Sequence, residues 1–206
     1  MPTARAGGPA GAGCSPGHRL SAPRGPGYAA AVNEQDALRL IEPAVPAGPG
    51  VWADFGAGDG TFTRALVARL GMGVRVYAVD RDARSLGSVS RALAGVTIVR
   101  ADLEAPFELP GTEPGTLDGL LLANTLHFMR EPSDVLARLA SWLRPGGSAV
   151  LIEYDQRSPS RWVPHPIDAA DLPALFESAG LEPPRIVARA DSAFGGEMYV
   201  AVGRRQ

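Results

Sequence analysis

The sequence predicts an α/β protein: one domain built on a doubly wound, mostly parallel sheet. Three observations carry this. The segment Val51-Trp52-Ala53-Asp54-Phe55-Gly56-Ala57-Gly58-Asp59-Gly60 is a short apolar run, an acid and then three glycines at every second position. Phe62, Leu66, Val67 and Leu70 follow at helical spacing, which makes the unit strand, tight turn, helix. Two further apolar, β-branched runs, Val74–Asp80 and Val96–Arg100, each end at or just before an acid, Asp80 and Asp102.

The elements follow in order. Tyr28 to Ile41 read as a helix with Ala29, Val32, Leu38 and Ile41 as its buried stripe. Pro43, Pro46 and Pro49 stiffen the linker from Glu42 to Gly50 that leads into the first strand. Asp82 suits the cap of a helix starting near Ala83. Leu117 to Asn124 read as a fourth strand, and Asp134 to Leu143 as a helix capped by Ser133. Gly147 to Tyr154 make a fifth strand, and Ile167 to Ala179 a helix ended by Gly180. Arg185–Ala190 and Glu197–Val202 close the chain as two strands around Gly195 and Gly196, a turn short enough to demand antiparallel pairing.

Ligands of open α/β sheets bind at the carboxyl edge of the strands, and here three successive strands bring an acid to that edge. The acids select the ligand class. A dinucleotide turn reads Gly-x-Gly-x-x-Gly and holds a pyrophosphate, whereas this turn reads Gly-x-Gly-x-Gly with Asp54 before it and Asp59 inside it, and the two acids would repel one. A nucleoside carrying cationic groups is welcome instead, and S-adenosylmethionine has a sulfonium and an ammonium but no phosphate. Asp80 lies twenty residues past Gly60, near the offset at which an acid accepts ribose hydroxyls. Asp102 is placed to accept an adenine amine, with the Leu103 backbone at the ring edge. The bland alternative is a glycine-rich turn that binds nothing.

This ordered set resembles the class I S-adenosylmethionine-dependent methyltransferases. Asp54-Phe55-Gly56-Ala57-Gly58-Asp59-Gly60 match the family's glycine motif, Asp80 its ribose acid and Asp102-Leu103 its adenine position. Leu117–Asn124 match its fourth strand, and Leu143-Arg144-Pro145-Gly146-Gly147 its turn into the fifth. The resemblance covers about residues 30 to 203. It implies a Rossmann-like doubly wound seven-stranded sheet in the order 3-2-1-4-5-7-6, with one antiparallel strand near the C-terminus. It also implies S-adenosylmethionine as cofactor, held by Asp54, Gly56, Ala57, Gly58, Gly60, Asp80, Arg81, Asp102, Leu103 and Asn124.

Composition bounds the remaining classes. A chain of 206 residues fills one domain, and a net charge of −2 gives no bulk attraction for nucleic acid or anionic membrane. All twenty basic residues are arginine, so no lysine base, Schiff base or P-loop lysine exists. Cys14 is the single cysteine, which excludes an intramolecular disulfide and a cysteine metal cluster, and the histidines lack ligand-like spacing, so no metal is expected. No apolar run reaches membrane-spanning length, and a cytoplasmic location is expected. Gly and Pro supply 12 of residues 1 to 27, which carry no acid; this segment reads as a disordered tail before a single domain over 28–206. The oligomeric state stays open.

The methyl acceptor is expected to be a small molecule. The loop after the fourth strand, Asn124-Thr125-Leu126-His127-Phe128-Met129, lacks the Asn-Pro-Pro-Tyr pattern of amino-methylating relatives that act on adenine and glutamine. His127 is the candidate general base, against the alternative of a histidine that only packs. The second candidate wall follows the fifth strand, where Tyr154, Trp162 and His165 stand in a proline-braced loop. Trp162 there is either a pocket lid or a cover for the helix that follows. One pocket lined by Asn124, His127, Tyr154 and Trp162, continuous with the cofactor site, is the resulting expectation.

Overall fold

The computed structural model describes residues 32–206 except 88, 90–92 and 193–194. The tail over 1–27 and the start of the first expected helix lie outside the described residues. Seven strands form one sheet in the order β3-β2-β1-β4-β5-β7-β6, the order the resemblance implies. The strands are β1 (Val51–Phe55), β2 (Arg75–Asp80), β3 (Val96–Arg100), β4 (Leu117–Ala123), β5 (Leu143–Asp155), β6 (Arg185–Asp191) and β7 (Glu197–Arg204). Pairings are parallel from β3 through β5, and β7 runs antiparallel to both β5 and β6.

Successive residues of β4 and β5 point to opposite faces, and both faces are covered. Leu120, Leu122, Ala149 and Leu151 pack on one side with helices α4 (Pro132–Ala140) and α5 (Leu172–Ser178). Leu121, Val150, Ile152 and Tyr154 pack on the other with α1 (Glu34–Ile41) and α2 (Thr61–Leu70). Gly119 lets the sheet close over an aromatic: a Cβ there would run into the Trp52 indole, which is buried.

The helix ends differ from the sequence expectation for local reasons. Asn33 caps α1 by accepting from the Asp36 amide at 3.0 Å, so Val32 is outside the helix. Ser133 lies inside α4, not at its cap: Pro132 occupies the first turn, where its fixed φ and missing N–H are tolerated. The same holds for α5, which begins at Leu172 with Pro173 in its first turn, five residues later than expected. The short α3 (Ala83–Leu86) is capped by Asp82, whose carboxylate accepts from the Arg84 amide at 2.9 Å. β5 starts at Leu143 and so includes the Pro-Gly-Gly segment expected to be a turn, because Leu117 already pairs with Leu143 ahead of a register shift.

Candidate functional site

The register aligns Asp54 with Ala78 and Leu121, and Asp80 with Arg100, so the carboxyl ends of β1 to β4 open onto one edge. A cavity of about 420 Å³ sits there. The glycine turn forms its floor and is pinned to β2 by three bonds. Gly56 and Ala57 amides donate to the Val79 carbonyl at 2.8 and 3.0 Å, and the Gly58 amide donates to Asp80 Oδ2 at 2.9 Å. All three glycines have positive φ, +79°, +53° and +82° for Gly56, Gly58 and Gly60.

Their surroundings divide their roles. At Gly58 the Cβ position is open, with only the Gly56 carbonyl at 4.0 Å, so a ligand can approach the backbone there. At Gly56 a Cβ would overlap the Thr125 hydroxyl and methyl and come within 2.9 Å of Thr125 Cβ. Gly56 is thus required by the β4 loop, 69 residues away, whose Thr125 Oγ1 lies over the Gly56 carbonyl at 3.4 Å. Gly60, expected at the cofactor, does not line the cavity. It stands at the N-cap of α2, is buried, and its Cβ position meets Val89.

The other expected cofactor residues, Asp54, Gly56, Ala57, Gly58, Asp80, Arg81, Asp102, Leu103 and Asn124, all line the cavity. So do Asp59 and Glu104, which sets five carboxylates against the single guanidinium of Arg81 among the lining residues. Asp54 is buried and accepts from the Thr63 hydroxyl at 2.6 Å. Burial pushes its carboxyl up to about 7; the Thr63 bond opposes that shift, and the carboxylates of Asp80 and Asp59 add to it. Asp59 accepts from both the amide and the hydroxyl of Thr61 and so closes the first turn of α2. Asp80 also accepts from the Asp82 amide at 2.8 Å, so each of its oxygens holds one backbone group and keeps a further lone pair.

Asn124 is the sharpest mark of a ligand site. It holds φ +51°, and its Oδ1 is buried without a hydrogen-bond partner among the described residues. A non-glycine residue in the left-handed region with an unsatisfied oxygen points to a partner supplied by a ligand. The open backbone at Gly58, the acidic wall and this oxygen together fit a cationic nucleoside and do not fit a pyrophosphate.

The acceptor side corrects the expectation in part. His127 is completely buried and does not line the cavity. Its Nδ1 sits 2.6 Å from Glu153 Oε2, and its Nε2 is buried without a partner among the described residues. Tyr154 is buried on the α1/α2 face, and Trp162, 41% exposed under the Arg161 guanidinium, is also off the cavity. His165 is exposed, and its amide donates to the His127 carbonyl at 3.0 Å. The two loops therefore meet, as their strands' adjacency requires, but only Asn124 of the four expected lining residues reaches the cavity. The reason is the 3-10 turn Leu126–Phe128, which tucks Leu126 and His127 inward and turns Phe128 out. Sequence reading missed Thr61, Phe62, Ser85, Phe128 and Met129 as lining residues. It placed Glu153 at the start of the second candidate wall and missed its role as a buried anchor, although an acid inside the apolar run Val150-Leu151-Ile152-Glu153-Tyr154 was a visible signal.

Glu153 is fully buried and holds this turn in place. Its Oε1 accepts from the amides of Thr125, Leu126 and His127 at 3.1, 2.9 and 3.3 Å, while Oε2 faces the imidazole. Four partners offset the cost of burying the carboxyl group.

Residues 53–151 match the family model described as a methyltransferase domain. A trans-aconitate 2-methyltransferase of Paracidovorax citrulli is 33% identical over 105 residues, 50% of this chain and 38% of that protein. The chain spans well under half the length of the curated relatives it matches. Among solved structures, a 1,6-didemethyltoxoflavin-N1-methyltransferase of Burkholderia thailandensis, with bound 1,6-didemethyltoxoflavin and S-adenosylhomocysteine, superposes with a TM-score of 0.66 at 22% identity, covering 84% of this chain and 78% of that one. An S-adenosylmethionine-dependent methyltransferase of Aquifex aeolicus gives 0.66 at 17% identity, over 83% and 90%. The sheet order, the acid-ended strands and the match over 53–151 converge: that part of the chain matches a methyltransferase domain, on a fold shared with solved S-adenosylmethionine-dependent methyltransferases.

Proposed function

We propose that this protein transfers a methyl group from S-adenosylmethionine to a small-molecule acceptor. The observation that carries the reading is the cavity of about 420 Å³ in which an open glycine backbone, five carboxyl groups and Asn124 Oδ1, without a partner among the described residues, converge. When bound, the cofactor supplies an electrophilic methyl carbon on a sulfonium. The protein's part is to bind, orient and exclude water. In this reading Asp80 accepts the ribose hydroxyls through the lone pairs its backbone partners leave free, and Asp102 and the Leu103 backbone meet the adenine. Asp54, Asp59 and Asn124 oppose the cationic end. Val32, Phe128 and Met129 give the cavity its apolar lining, which suits a compact organic acceptor and excludes water from the transfer.

Two findings support a small acceptor. The proteins above include ones named for trans-aconitate and for 1,6-didemethyltoxoflavin, both small molecules. The net charge of −2 offers no electrostatic footprint for nucleic acid, and among the described residues no helix is long and apolar enough to cross a membrane. The test is calorimetry with S-adenosylmethionine, S-adenosylhomocysteine, NAD and NADP, followed by a metabolite-extract screen with an isotopically labelled methyl donor. Binding of the first two alone and a labelled small product are expected. Binding of NAD or NADP in their place would refute the assignment. Cofactor binding without any labelled product from diverse extracts would instead favour a non-catalytic binding subunit.

A further inference from the structure

The turn that leaves β3 is held from a distance. Within it, Asp102 Oδ1 accepts from the Glu104 amide at 3.0 Å, and the Asp102 carbonyl accepts from the Ala105 amide at 3.1 Å. Upstream, the Ala101 amide donates to the Asp80 carbonyl at 3.1 Å. The Leu103 side chain is buried in the core that also takes the inner face of α4. The Leu103 carbonyl is taken by Arg138 of α4, 35 residues further on, whose Nη2 donates to it. Among the described residues no other side chain from outside the turn bonds the backbone of Asp102 to Glu104.

That bond is not needed to dock the helix. Val135, Leu136, Leu139 and Ala140 are buried and already carry α4 onto the sheet. The half-buried Arg138 is itself unfavourable in one respect, since its Nε is buried without a partner among the described residues. What offsets this is the charge-assisted bond to Leu103. Leu103 lines the cavity together with Asp102 and Glu104. Among the described residues its amide donates to nothing, and the turn occupies only Oδ1 of Asp102. One turn thus offers a donor and an acceptor, which match a flat heterocycle bearing an amine beside a ring nitrogen. With the Ala101 amide fixed on one side and the Leu103 carbonyl on the other, the backbone between them is ordered before a ligand arrives.

We propose that Arg138 is a positioning residue for base recognition: by holding the Leu103 carbonyl from α4, it sets the turn so that Asp102 and the Leu103 amide meet the adenine of the cofactor. This rests on the methyl-transfer reading and deepens it. Arg138 is not among the residues that line the cavity, so it acts through Leu103 alone. Its loss leaves the contacts of Asp80 and of the glycine turn in place, because those are pinned to β2 by their own bonds. Only the hold on the base weakens.

The test compares two probes on the full chain by NMR titration, which reads weak binding as well as strong. S-adenosylhomocysteine carries the base. S-ribosylhomocysteine has the same ribose and amino acid, with a hydroxyl in place of adenine. R138M keeps an apolar stem on the helix and removes the donor. In it, affinity for S-adenosylhomocysteine should fall by about tenfold, the effect of one misplaced hydrogen-bonding turn, while affinity for S-ribosylhomocysteine stays within about twofold. A general loosening of the fold would lower both. A second measurement needs no substitution. In protein labelled with ¹⁵N-arginine, rotation about the Nε–Cζ bond of Arg138 should be slower than that of exposed Arg75, because an acceptor holds the guanidinium.

Equal losses for the two probes in R138M, or unchanged affinity for S-adenosylhomocysteine, overturn the positioning role and leave methyl transfer standing. An Arg138 guanidinium that turns as fast as that of Arg75 overturns it too, and decides the question even if R138M folds poorly. Failure of the unsubstituted chain to bind S-adenosylhomocysteine removes the methyl-transfer reading and this role with it.

Discussion

Gly56 and Gly58 occupy one turn, yet alanine at each should fail in a different way. At Gly58 the added methyl meets nothing closer than the Gly56 carbonyl at 4.0 Å, so the folding cost is the φ of +53° alone. A single alanine in the left-handed region costs about 1–2 kcal/mol. The same methyl projects into the space lined for the cofactor, so affinity for S-adenosylhomocysteine should fall by about tenfold or more, the magnitude of one overpacked contact. At Gly56 the φ of +79° costs a similar amount, and the methyl also overlaps the Thr125 side chain. Thr125 is buried and tied by its hydroxyl to the Ala123 carbonyl at 3.0 Å and by its amide to Glu153, so it has little room to yield. Overpacking of a fixed side chain adds about 1–3 kcal/mol, for a total of about 2–5 kcal/mol. Denaturant unfolding and calorimetry on the two variants separate the cases. Thr125→Ala in the Gly56→Ala background should recover the part of the overpacking due to the Thr125 hydroxyl and methyl, and leave the 2.9 Å contact with its Cβ and the φ cost. Equal stability loss in the two single variants, or no recovery in the double, would refute this division of roles.

Asp80→Ala removes the acceptor of the Gly58 and Asp82 amides as well as any ligand contact. Melting temperature should therefore fall together with cofactor affinity, each by about 1–3 kcal/mol equivalent, and calorimetry showing an affinity loss at unchanged stability would contradict the pinning role. Asp54, raised by burial to about 7 from 3.8, holds its proton more tightly folded than unfolded. Its contribution to stability is fully present below about pH 4 and is lost as pH rises to about 7, by up to about 4 kcal/mol; Asp54→Asn should flatten the stability profile over that window. Gly119→Ala drives a methyl into the buried Trp52 ring and should cost about 1–3 kcal/mol in urea unfolding without changing the affinity of properly folded protein for S-adenosylhomocysteine.

What the sequence alone determined is whatever repeats locally or sits at the end of a run. Apolar runs at Val51–Ala53, Val76–Val79 and Leu120–Leu122 named the central strands, because a strand covered on both faces is built almost wholly of apolar side chains. The acids Asp54, Asp80 and Asp102, at or just past the ends of the first three strands, placed a ligand edge, because the chain must leave a parallel strand at its carboxyl end. Turn glycines were legible as a group, and Asp82 as a cap, for equally local reasons. The family order then supplied the sheet topology. The helix start at Pro132 was read late because Ser133 was taken as the cap, and the start at Leu172 early because Pro173 was taken as an interior residue rather than a first-turn one.

Only the tertiary structure decided which of these residues face the ligand and which face each other. Gly56 answers to Thr125, Gly60 to Val89, and Glu153 to a loop 26 to 28 residues upstream. His127 was legible as a candidate base or a packing residue, and only the structure shows it completely buried, against Phe128 and a buried carboxyl group. No local period encodes such pairs. They arise when β1, β4 and β5 lie side by side and bring distant turns within a side chain's length, and the lowest free energy then goes to whichever buried polar groups can satisfy one another.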